Sequence, residues 1–342
     1  MQLEELLRIM ILNHASDLHL SSGALPKIRV DSELKSIEGS ILLEEQSIRE
    51  MLLTILPFTQ MEVFDKKLDV DFSFERTQLN ARFRANIFRQ ERGISIAVRH
   101  IPFTPPSLAN LDLPNVLHHL CSLQHGLVLV TGPTGSGKST TLAAMIDHIN
   151  NSFAKHIITT EDPIEYLHQS KTALIQQREV KKHTSSFDQA LRSALREDPD
   201  YILVGEIRDL ETMRLALTAA ETGHLVFATL HTNSTAETID RIIDVFPTFE
   251  KPLIRSTLAN ALKAVISQHL LRKIEGGRIA AQEIMICNTA IRNLIRENKI
   301  NQIYSAIQTG RAAGMQTLAS SVGELIEKNI IDKNEYGHLV VE

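Results

Sequence analysis

The stretch Gly132-Pro-Thr-Gly-Ser-Gly-Lys-Ser139 decides the fold of the larger part of this chain. It matches the glycine-rich phosphate-binding loop, the P-loop or Walker A motif, in every defined position. The apolar run Leu127–Val130 precedes it and predicts a buried strand, and the helical pattern Thr140–Asn150 follows it. Because the motif requires a strand before the loop and a helix after it, the stretch predicts a nucleotide-binding α/β domain.

Each part of this loop has a physical role in holding phosphate. The glycines allow backbone N–H groups to converge on phosphate oxygens, and the N-terminus of the following helix adds partial positive charge. Lys138 is predicted to reach the β- and γ-phosphates, and the Ser139 hydroxyl is predicted to ligate Mg²⁺. The candidate nucleotide-binding residues are Gly132, Pro133, Thr134, Gly135, Ser136, Gly137, Lys138, Ser139 and Thr140. We therefore expect ATP and Mg²⁺ as ligands.

Around the loop, short continuous apolar runs predict strands that are buried on both faces of a parallel sheet. These runs are Leu127–Val130, His156–Thr159, Tyr201–Val204 and Leu225–Leu230. Helical stretches separate them, which is typical of a doubly wound sheet. From about Pro247 onward the pattern is mostly helical, and the predicted helices are Ile254–Gln268, Ala290–Glu297, Ile300–Gln308 and Gln316–Lys328.

The first hundred residues have a different pattern, in which alternating apolar residues predict an antiparallel sheet. The predicted strands are Lys27–Val30, Val70–Phe74, Asn80–Phe88 and Gly93–Val98, and the predicted helices are Leu3–Leu12 and Leu42–Leu56. Pro102, Pro105 and Pro106 follow, and they cannot continue a helix or a central strand. We expect a small α+β domain over residues 1–100, a stiff linker over 101–112 and an ATPase domain over 113–342.

Hydrolysis of a bound nucleotide also needs carboxylates near the metal and the attacking water. Glu206 follows the run Tyr201–Val204, with Gly205 where a Walker B motif usually has Asp. The acidic segment Thr160-Glu-Asp-Pro-Ile-Glu165 follows another strand in the same way. Because open α/β sheets bind ligands at the carboxyl ends of their strands, these acids predict a catalytic site. Considered alone, each acid could equally be a solvated edge or loop residue.

Two histidines bracket the predicted strand Leu225–Leu230 and, being at opposite ends of it, are not expected to share a metal ion. His231 lies at the carboxyl end, where it could sense the γ-phosphate or its water. His224 lies at the other end, where we expect a packing or interface role.

Together these motifs resemble the secretion-type ATPases of type IV pili and type II secretion, and most closely the retraction members of that family. The resemblance covers essentially the whole chain. Its segments are Ala15–Ser21 (N-terminal signature), Gly132–Thr140 (Walker A), Glu161–Glu165 (Asp box), Gly205–Asp209 (Walker B), Glu221–Thr232 (His box) and Ala290–Glu297 (a motif of the retraction members). The chain departs from the family pattern at Thr160, where Ile is usual, and at Ala228, where Gly is common.

The resemblance implies a PAS-like N-terminal α+β domain and a RecA-like P-loop ATPase domain with a helical C-terminal part. It also implies an ATP-hydrolysing hexameric motor that retracts type IV pili and powers twitching-type motility. In this family the Walker B acid is Glu, so Glu206 would support Mg²⁺ through a water. Glu165 first and Glu161 second would orient the attacking water.

The resemblance also gives a role to arginines of the first domain, because the family's site lies between domains and between subunits. Arg82, Arg84 and Arg99 alternate on strands near the linker and are candidate finger residues for the γ-phosphate. The alternative is that arginines with this spacing face water on an amphipathic strand.

Composition limits the function classes. The 36 basic and 41 acidic residues give a net charge of −5, which disfavours nucleic acid as a direct partner. Two cysteines cannot build a disulfide framework or a four-cysteine zinc module, and such a module and a longer N-terminal extension are common in assembly ATPases of this superfamily. Retraction is therefore favoured over assembly. No apolar run approaches the roughly 18 residues of a membrane span, and the start resembles no secretory leader.

The implied partners are further copies of the chain in a homohexamer, an inner-membrane pilus platform protein and a paralogous retraction ATPase. The expected location is cytoplasmic, at the inner-membrane face of the pilus machine, with membrane association only through partners. Two alternatives stay open at this point. One is a non-hydrolysing or weakly active accessory subunit of a pilus motor, and the other is a RecA-like nucleic-acid motor.

Overall fold

The computed structural model describes residues 2–30, 33–56, 58–101 and 104–340, without the side chains of residues 58–60. Pro102, one of the three prolines of the predicted linker, lies outside the described residues. The chain forms two compact units, Met1–Phe103 and Thr104–Glu342, and each is described by itself. No helix among these residues is long and apolar enough to cross a membrane.

The first unit is built on an antiparallel sheet with strand order β3-β2-β1-β6-β5-β4. Its strands are β1 (Asp17–Ser21), β2 (Lys27–Val30), β3 (Glu33–Ser36), β4 (Asp69–Arg76), β5 (Ala81–Gln90) and β6 (Gly93–Ile101). Its helices are α1 (Leu3–Leu12), α2 (Glu45–Leu53) and α3 (Phe58–Lys67), with a 3₁₀ turn at Thr77–Leu79. Helix α1 buries Leu3, Leu6, Leu7 and Met10, which share one face because they recur at helical spacing.

The second unit is built on a sheet with strand order β13-β12-β7-β11-β10-β8-β9. Its strands are β7 (Gly126–Thr131), β8 (His156–Glu161), β9 (Leu174–Glu179), β10 (Tyr201–Val204), β11 (Leu225–Leu230), β12 (Leu262–Arg272) and β13 (Arg278–Ile286). Neighbouring strands run parallel except β13, which is antiparallel to β12. The parallel order explains the continuous apolar runs, because successive residues face two different cores.

Helices cover both faces of this sheet and make those two cores. They are α4 (Val116–Cys121), α5 (Lys138–Ser152), α6 (Phe187–Ala194), α7 (Leu210–Glu221), α8 (Thr235–Asp244), α9 (Lys251–Ala261), α10 (Thr289–Arg296), α11 (Ile303–Thr309), α12 (Leu318–Glu327) and α13 (Lys333–Tyr336). Short 3₁₀ turns lie at Ile300–Gln302, Arg311–Ala313 and Gly337–Leu339. Along β7, Leu127 and Leu129 enter one core, and Val128 and Val130 enter the other. The expected α/β class is confirmed.

The prediction of a helix over Ile254–Gln268 is wrong in its second half. Helix α9 ends at Ala261, and the chain then forms the β12–β13 hairpin, which extends the sheet beside β7. Val265 faces one core and Ile266 the other, so the run has no polar alternation that would mark a strand. A short apolar run of this kind cannot be distinguished from a buried helix by its periodicity.

Candidate nucleotide-binding and catalytic site

The P-loop connects the buried strand β7 to helix α5, as the motif requires. Gly132 has a φ of 140° and Gly137 a φ of 87°, and residues that carry a Cβ rarely adopt these backbone conformations. Space is also restricted, because a Cβ at Gly132 would lie 2.3 Å from the backbone oxygen of Gln268. These glycines are therefore required by backbone conformation and by the close approach of β12.

The P-loop has residues open to solvent, where a phosphate can approach, and residues buried against the rest of the domain. The residues exposed on the loop are Pro133, Thr134, Gly135 and Ser139, while Gly132, Ser136 and Lys138 are buried and Gly137 and Thr140 are intermediate. The Lys138 ammonium donates to the carbonyl oxygens of Gly132 at 2.8 Å and Pro133 at 2.9 Å. An ammonium has three N–H donors, so this geometry also allows donation to a phosphate oxygen.

Two acids act electrostatically on Lys138. Burial lowers the pKa of its ammonium, and the Glu206 and Glu165 carboxylates oppose that shift. The structure therefore brings the predicted Walker B acid and one Asp-box acid into the field of the P-loop lysine. The residue after the Asp box is also linked to α5, because the Tyr166 hydroxyl lies 3.3 Å from Thr140 Oγ1.

Glu206 lies just beyond β10 and has cationic or ionisable partners. Arg208 Nη2 lies 2.7 Å from its Oε2, and His231 Nε2 lies 3.0 Å from its Oε1. Burial alone would raise the pKa of this carboxyl, but Arg208, His231 and Lys138 together hold it below its usual value. Glu206 is therefore ionised at neutral pH, and His231, at the carboxyl end of β11, lies beside it.

Gly205 lies so close to β8 that it leaves little room for the Asp of a usual Walker B motif. A Cβ at this position would lie 3.1 Å from the Thr160 backbone oxygen and 3.2 Å from the Glu161 Cα. The Gly205 N–H also donates to that Thr160 oxygen at 2.7 Å. The close approach of β8 therefore accounts for glycine here and leaves Glu206 as the acid at this strand end.

Glu161, at the end of β8, has neutral hydrogen-bond donors. Thr159 Oγ1 donates to its Oε1 at 2.7 Å, and Gln177 Nε2 donates to the same oxygen at 3.2 Å. The backbone of Glu165 also donates to this carboxylate. Loss of hydration nevertheless raises the pKa of Glu161 to about 7, with the nearby Glu165 charge adding to the effect.

Two buried polar residues that support the site were missed by sequence reasoning. Gln268 on β12 contacts the P-loop through its side-chain amide. Glu283 on β13 accepts hydrogen bonds from the Thr235 backbone N–H and from its hydroxyl, both at 2.7 Å. Thr235 is the first residue of α8, so its bonds to Glu283 anchor the end of the short segment that connects β11 to α8 and contains His231. No local sequence signal marks either residue, because their partners lie far away in the chain.

The three candidate finger arginines all belong to the first unit and have partners there. Arg82 is buried and donates to Ser73 Oγ at 3.1 Å. Arg84 and Arg99 lie opposite each other on β5 and β6, and each faces an acid. These ion pairs are Arg84 with Asp71 at 3.8 Å and Arg99 with Asp17 at 2.9 Å. Within this unit the three therefore divide into one buried and two more exposed positions.

A family model described as type II/IV secretion system protein matches residues 2–336. The chain belongs to this family. The resemblance drawn from the motifs is thereby confirmed over nearly the full length.

Relatives within the family share high identity along nearly their whole length. The chain is 54% identical to the type IV pilus retraction ATPase PilT of Pseudomonas aeruginosa, over 97% of this chain and 96% of that protein. It is 52% identical to a twitching motility protein of Neisseria gonorrhoeae, over 94% of this chain and 88% of that protein.

A solved structure shows the same fold. The crystal structure of the pilus retraction motor PilT with bound ADP superposes with a TM-score of 0.91 at 45% identity, covering all of this chain and 98% of that one. The expected family and fold are confirmed by these similarities.

Proposed function

We propose that this chain is an ATP-hydrolysing, hexameric motor that retracts type IV pili and powers twitching-type motility. The observation that carries the proposal is the setting of Lys138, which lies in a complete P-loop within the field of Glu206 and Glu165. The similarity to a pilus retraction ATPase over nearly the whole of both chains supports the direction of the motor.

The P-loop residues fit a nucleoside triphosphate with Mg²⁺. The loop's backbone N–H groups and Lys138 would bind the phosphates, and the exposed Ser139 hydroxyl together with the ionised Glu206 would hold the metal. Oxygen ligands of this kind are those that Mg²⁺ prefers, and Glu206 would act through a water. Bound Mg²⁺ would supply positive charge that offsets the charge of the phosphates.

The Asp-box acids would position the attacking water. Glu165 is the first candidate, because its charge reaches Lys138 and its backbone holds Glu161 in place. Glu161 is the second candidate, since a carboxyl with a pKa of about 7 can accept a proton near neutral pH. His231, at 3.0 Å from Glu206, would report the state of the phosphate site to the segment after β11.

The family resemblance supplies the remaining parts of the proposal. Arg82, Arg84 and Arg99 would include the residues that stabilise charge on the γ-phosphate, as finger arginines do in other phosphoryl-transfer enzymes. The proline-rich segment over 101–112 would absorb domain rotation during turnover. The partners would be other copies of the chain in a homohexamer, an inner-membrane platform protein and a paralogous retraction ATPase, at the cytoplasmic face of the inner membrane.

Phosphate release by the purified chain tests the enzymatic part of this proposal. Lys138→Ala removes the ammonium from the P-loop and should lower turnover about 10²-fold, the size of effect seen for a lost charge-stabilising donor. Glu206→Ala should lower it at least about ten-fold, as the loss of outer-shell metal support does. Lys328→Ala is a matched control, because Lys328 is an exposed lysine at the end of α12.

Two results would contradict the proposal or redirect it. Unchanged phosphate release in both site variants would exclude this site as the catalytic one. Nucleotide binding without turnover by the unmodified chain would instead support an accessory subunit that assists a partner motor.

The cellular part of the proposal predicts that cells lacking the chain assemble pili and fail to retract them.

Helix α10 carries the motif of the retraction members and is the proposed coupling element. Ile291 and Ile295 on it are fully buried, so their substitution would test folding more than coupling. Asn293 and Glu297 are exposed on the other face. The double variant Asn293→Arg with Glu297→Arg should abolish retraction in cells and keep ATPase activity within about two-fold, because exposed substitutions cost little stability. Parallel loss of both activities would give the helix a structural role only.

A further inference from the structure

Gln268 is a buried amide that touches the P-loop from the β12 side. Gln268 is only 2% exposed to solvent. Its Nε2 donates to the Ser136 backbone oxygen at 2.6 Å, and its Oε1 accepts from the Thr141 hydroxyl at 2.8 Å. The same residue therefore contacts the loop and the first turn of the helix that follows it.

The glycines of the loop make this contact possible. A Cβ at Gly132 would lie 2.3 Å from the Gln268 backbone oxygen, and a Cβ at Gly137 would lie 2.9 Å from its Nε2. Two glycines of the Walker A motif are thus the positions where the loop lies against Gln268. A larger residue at Gly132 would displace the loop from the β12 backbone, and one at Gly137 would displace the Gln268 amide.

The orientation of the Gln268 amide is fixed by a second glutamine. Gln282 is its cross-strand partner on β13, is 1% exposed and donates from Nε2 to Gln268 Oε1 at 2.9 Å. Because Oε1 already accepts from Thr141 and Gln282, the amide must present its N–H group to Ser136. Gln282 is held in turn by Gln316, which donates to its backbone oxygen at 2.9 Å.

We propose that Gln268 is a positioning residue for nucleotide binding, acting through the Ser136–Gly137 peptide. In a planar trans peptide the C=O and N–H point in opposite directions. A Ser136 carbonyl held against Gln268 therefore directs the Gly137 N–H away from β12, toward the concave side of the loop where phosphate binds. Without this hydrogen bond the peptide can rotate, and the loop loses a preorganised donor.

This inference deepens the proposed function and rests on it, since it requires that the loop binds nucleotide. Its experiment uses the full chain, with ADP as the probe in calorimetric titrations and ATP in steady-state kinetics. Gln268→Met keeps the side-chain length and removes the donor to Ser136. Its Kd for ADP should rise about ten-fold, the effect of leaving one buried polar partner unpaired, and KM for ATP should rise more than kcat falls.

Asn150→Leu is the matched control, because Asn150 is a fully buried amide of α5 that hydrogen-bonds to Gln169 and Lys171 rather than to the P-loop or Gln268. It should lower thermal stability to a similar extent and change the ADP Kd by less than about three-fold. Gln268→Glu provides a second variant that keeps an acceptor for Thr141 and Gln282 while replacing the donor, so it should fold and also bind ADP at least about ten-fold more weakly.

Each outcome decides the question. Wild-type ADP affinity in both Gln268 variants overturns the inference and leaves the proposed function intact. Affinity losses that follow thermal stability equally in the Gln268 and Asn150 variants also overturn it, since they indicate a structural role alone. Absence of ADP binding by the unmodified chain would overturn the proposed function and this inference together.

Discussion

Two carboxylates at the same edge of the sheet have opposite electrostatic surroundings. Glu206 follows β10 and Glu161 ends β8, and these two strands are hydrogen-bonded neighbours. The pKa of Glu206 is held below its ordinary value, whereas that of Glu161 is raised from 4.5 to about 7. Position at a strand end therefore does not determine the charge of an acid in this site.

The difference lies in the kind of partner. Glu206 has Arg208 and Lys138 nearby, and attraction to their positive charges exceeds the cost of its partial burial. Glu161 has a hydroxyl, an amide and a backbone N–H, which carry no net charge and do not compensate for its lost hydration. The pair is therefore suited to a division of labour, with a permanent charge at one strand end and a proton acceptor at the other.

The largest expected effect separates these two strand ends by kinetics. Glu165 belongs to the same acidic segment as Glu161, at the end of β8. Glu165→Gln should lower kcat by roughly 10²–10⁴-fold, the usual contribution of a positioned acid–base group. ADP affinity should stay near wild type, because the P-loop is untouched. Glu206→Gln should lower kcat by only about 10–100-fold and should increase the Mg²⁺ concentration required for half-maximal activity. Equal losses with unchanged Mg²⁺ dependence in both variants would remove the proposed division of labour.

A smaller effect should appear in the free energy of unfolding. Because the folded-state pKa of Glu161 is raised, the folded chain binds more protons than the unfolded chain between about pH 4.5 and 7, so stability should fall as pH rises through that window. Glu161→Gln removes this ionisation and should be more stable than wild type at about pH 8, by roughly 1–3 kcal/mol, but not at about pH 4. Urea unfolding at both pH values measures the difference.

Glu206→Gln is the control of opposite sign for that measurement. The pKa of Glu206 is lowered in the folded chain, so its ionised form contributes stability above its ordinary pKa and loses that contribution as pH falls. The variant should therefore be less stable than wild type at neutral pH. A stabilising Glu206→Gln, or a destabilising Glu161→Gln, would contradict the assigned electrostatics.

Local patterns in the sequence predicted the framework of this site. The P-loop, the strands that flank it and the acids after β8 and β10 were all recognisable, because each depends on a short segment and its immediate neighbours. Helix α1 was predicted with its observed bounds for the same reason, since its buried face repeats at helical spacing. The burial of β7 on both faces was likewise readable from an unbroken apolar run.

The supporting residues could not be predicted in this way. Gln268 and Glu283 gain their roles from partners 132 and 48 residues away in the chain. Their hairpin was hidden because β12 is buried on both faces and its apolar run has no alternation. The pKa difference between Glu161 and Glu206 was equally invisible, since it depends on Arg208 and Gln177 being placed around acids that look alike in sequence.

The smallest expected effect concerns a single hydroxyl. Thr159 donates to Glu161 at 2.7 Å, and this bond lowers the pKa of that carboxyl relative to burial alone. Thr159→Val keeps the shape of the side chain and removes the donor, so the pKa of Glu161 should rise further. The rising limb of the plot of kcat against pH should then move to higher pH by less than about one unit. Thr160→Val is the matched control, because successive residues of β8 face opposite sides of the sheet. An unchanged limb in Thr159→Val would mean that Glu161 does not set the pH dependence of turnover.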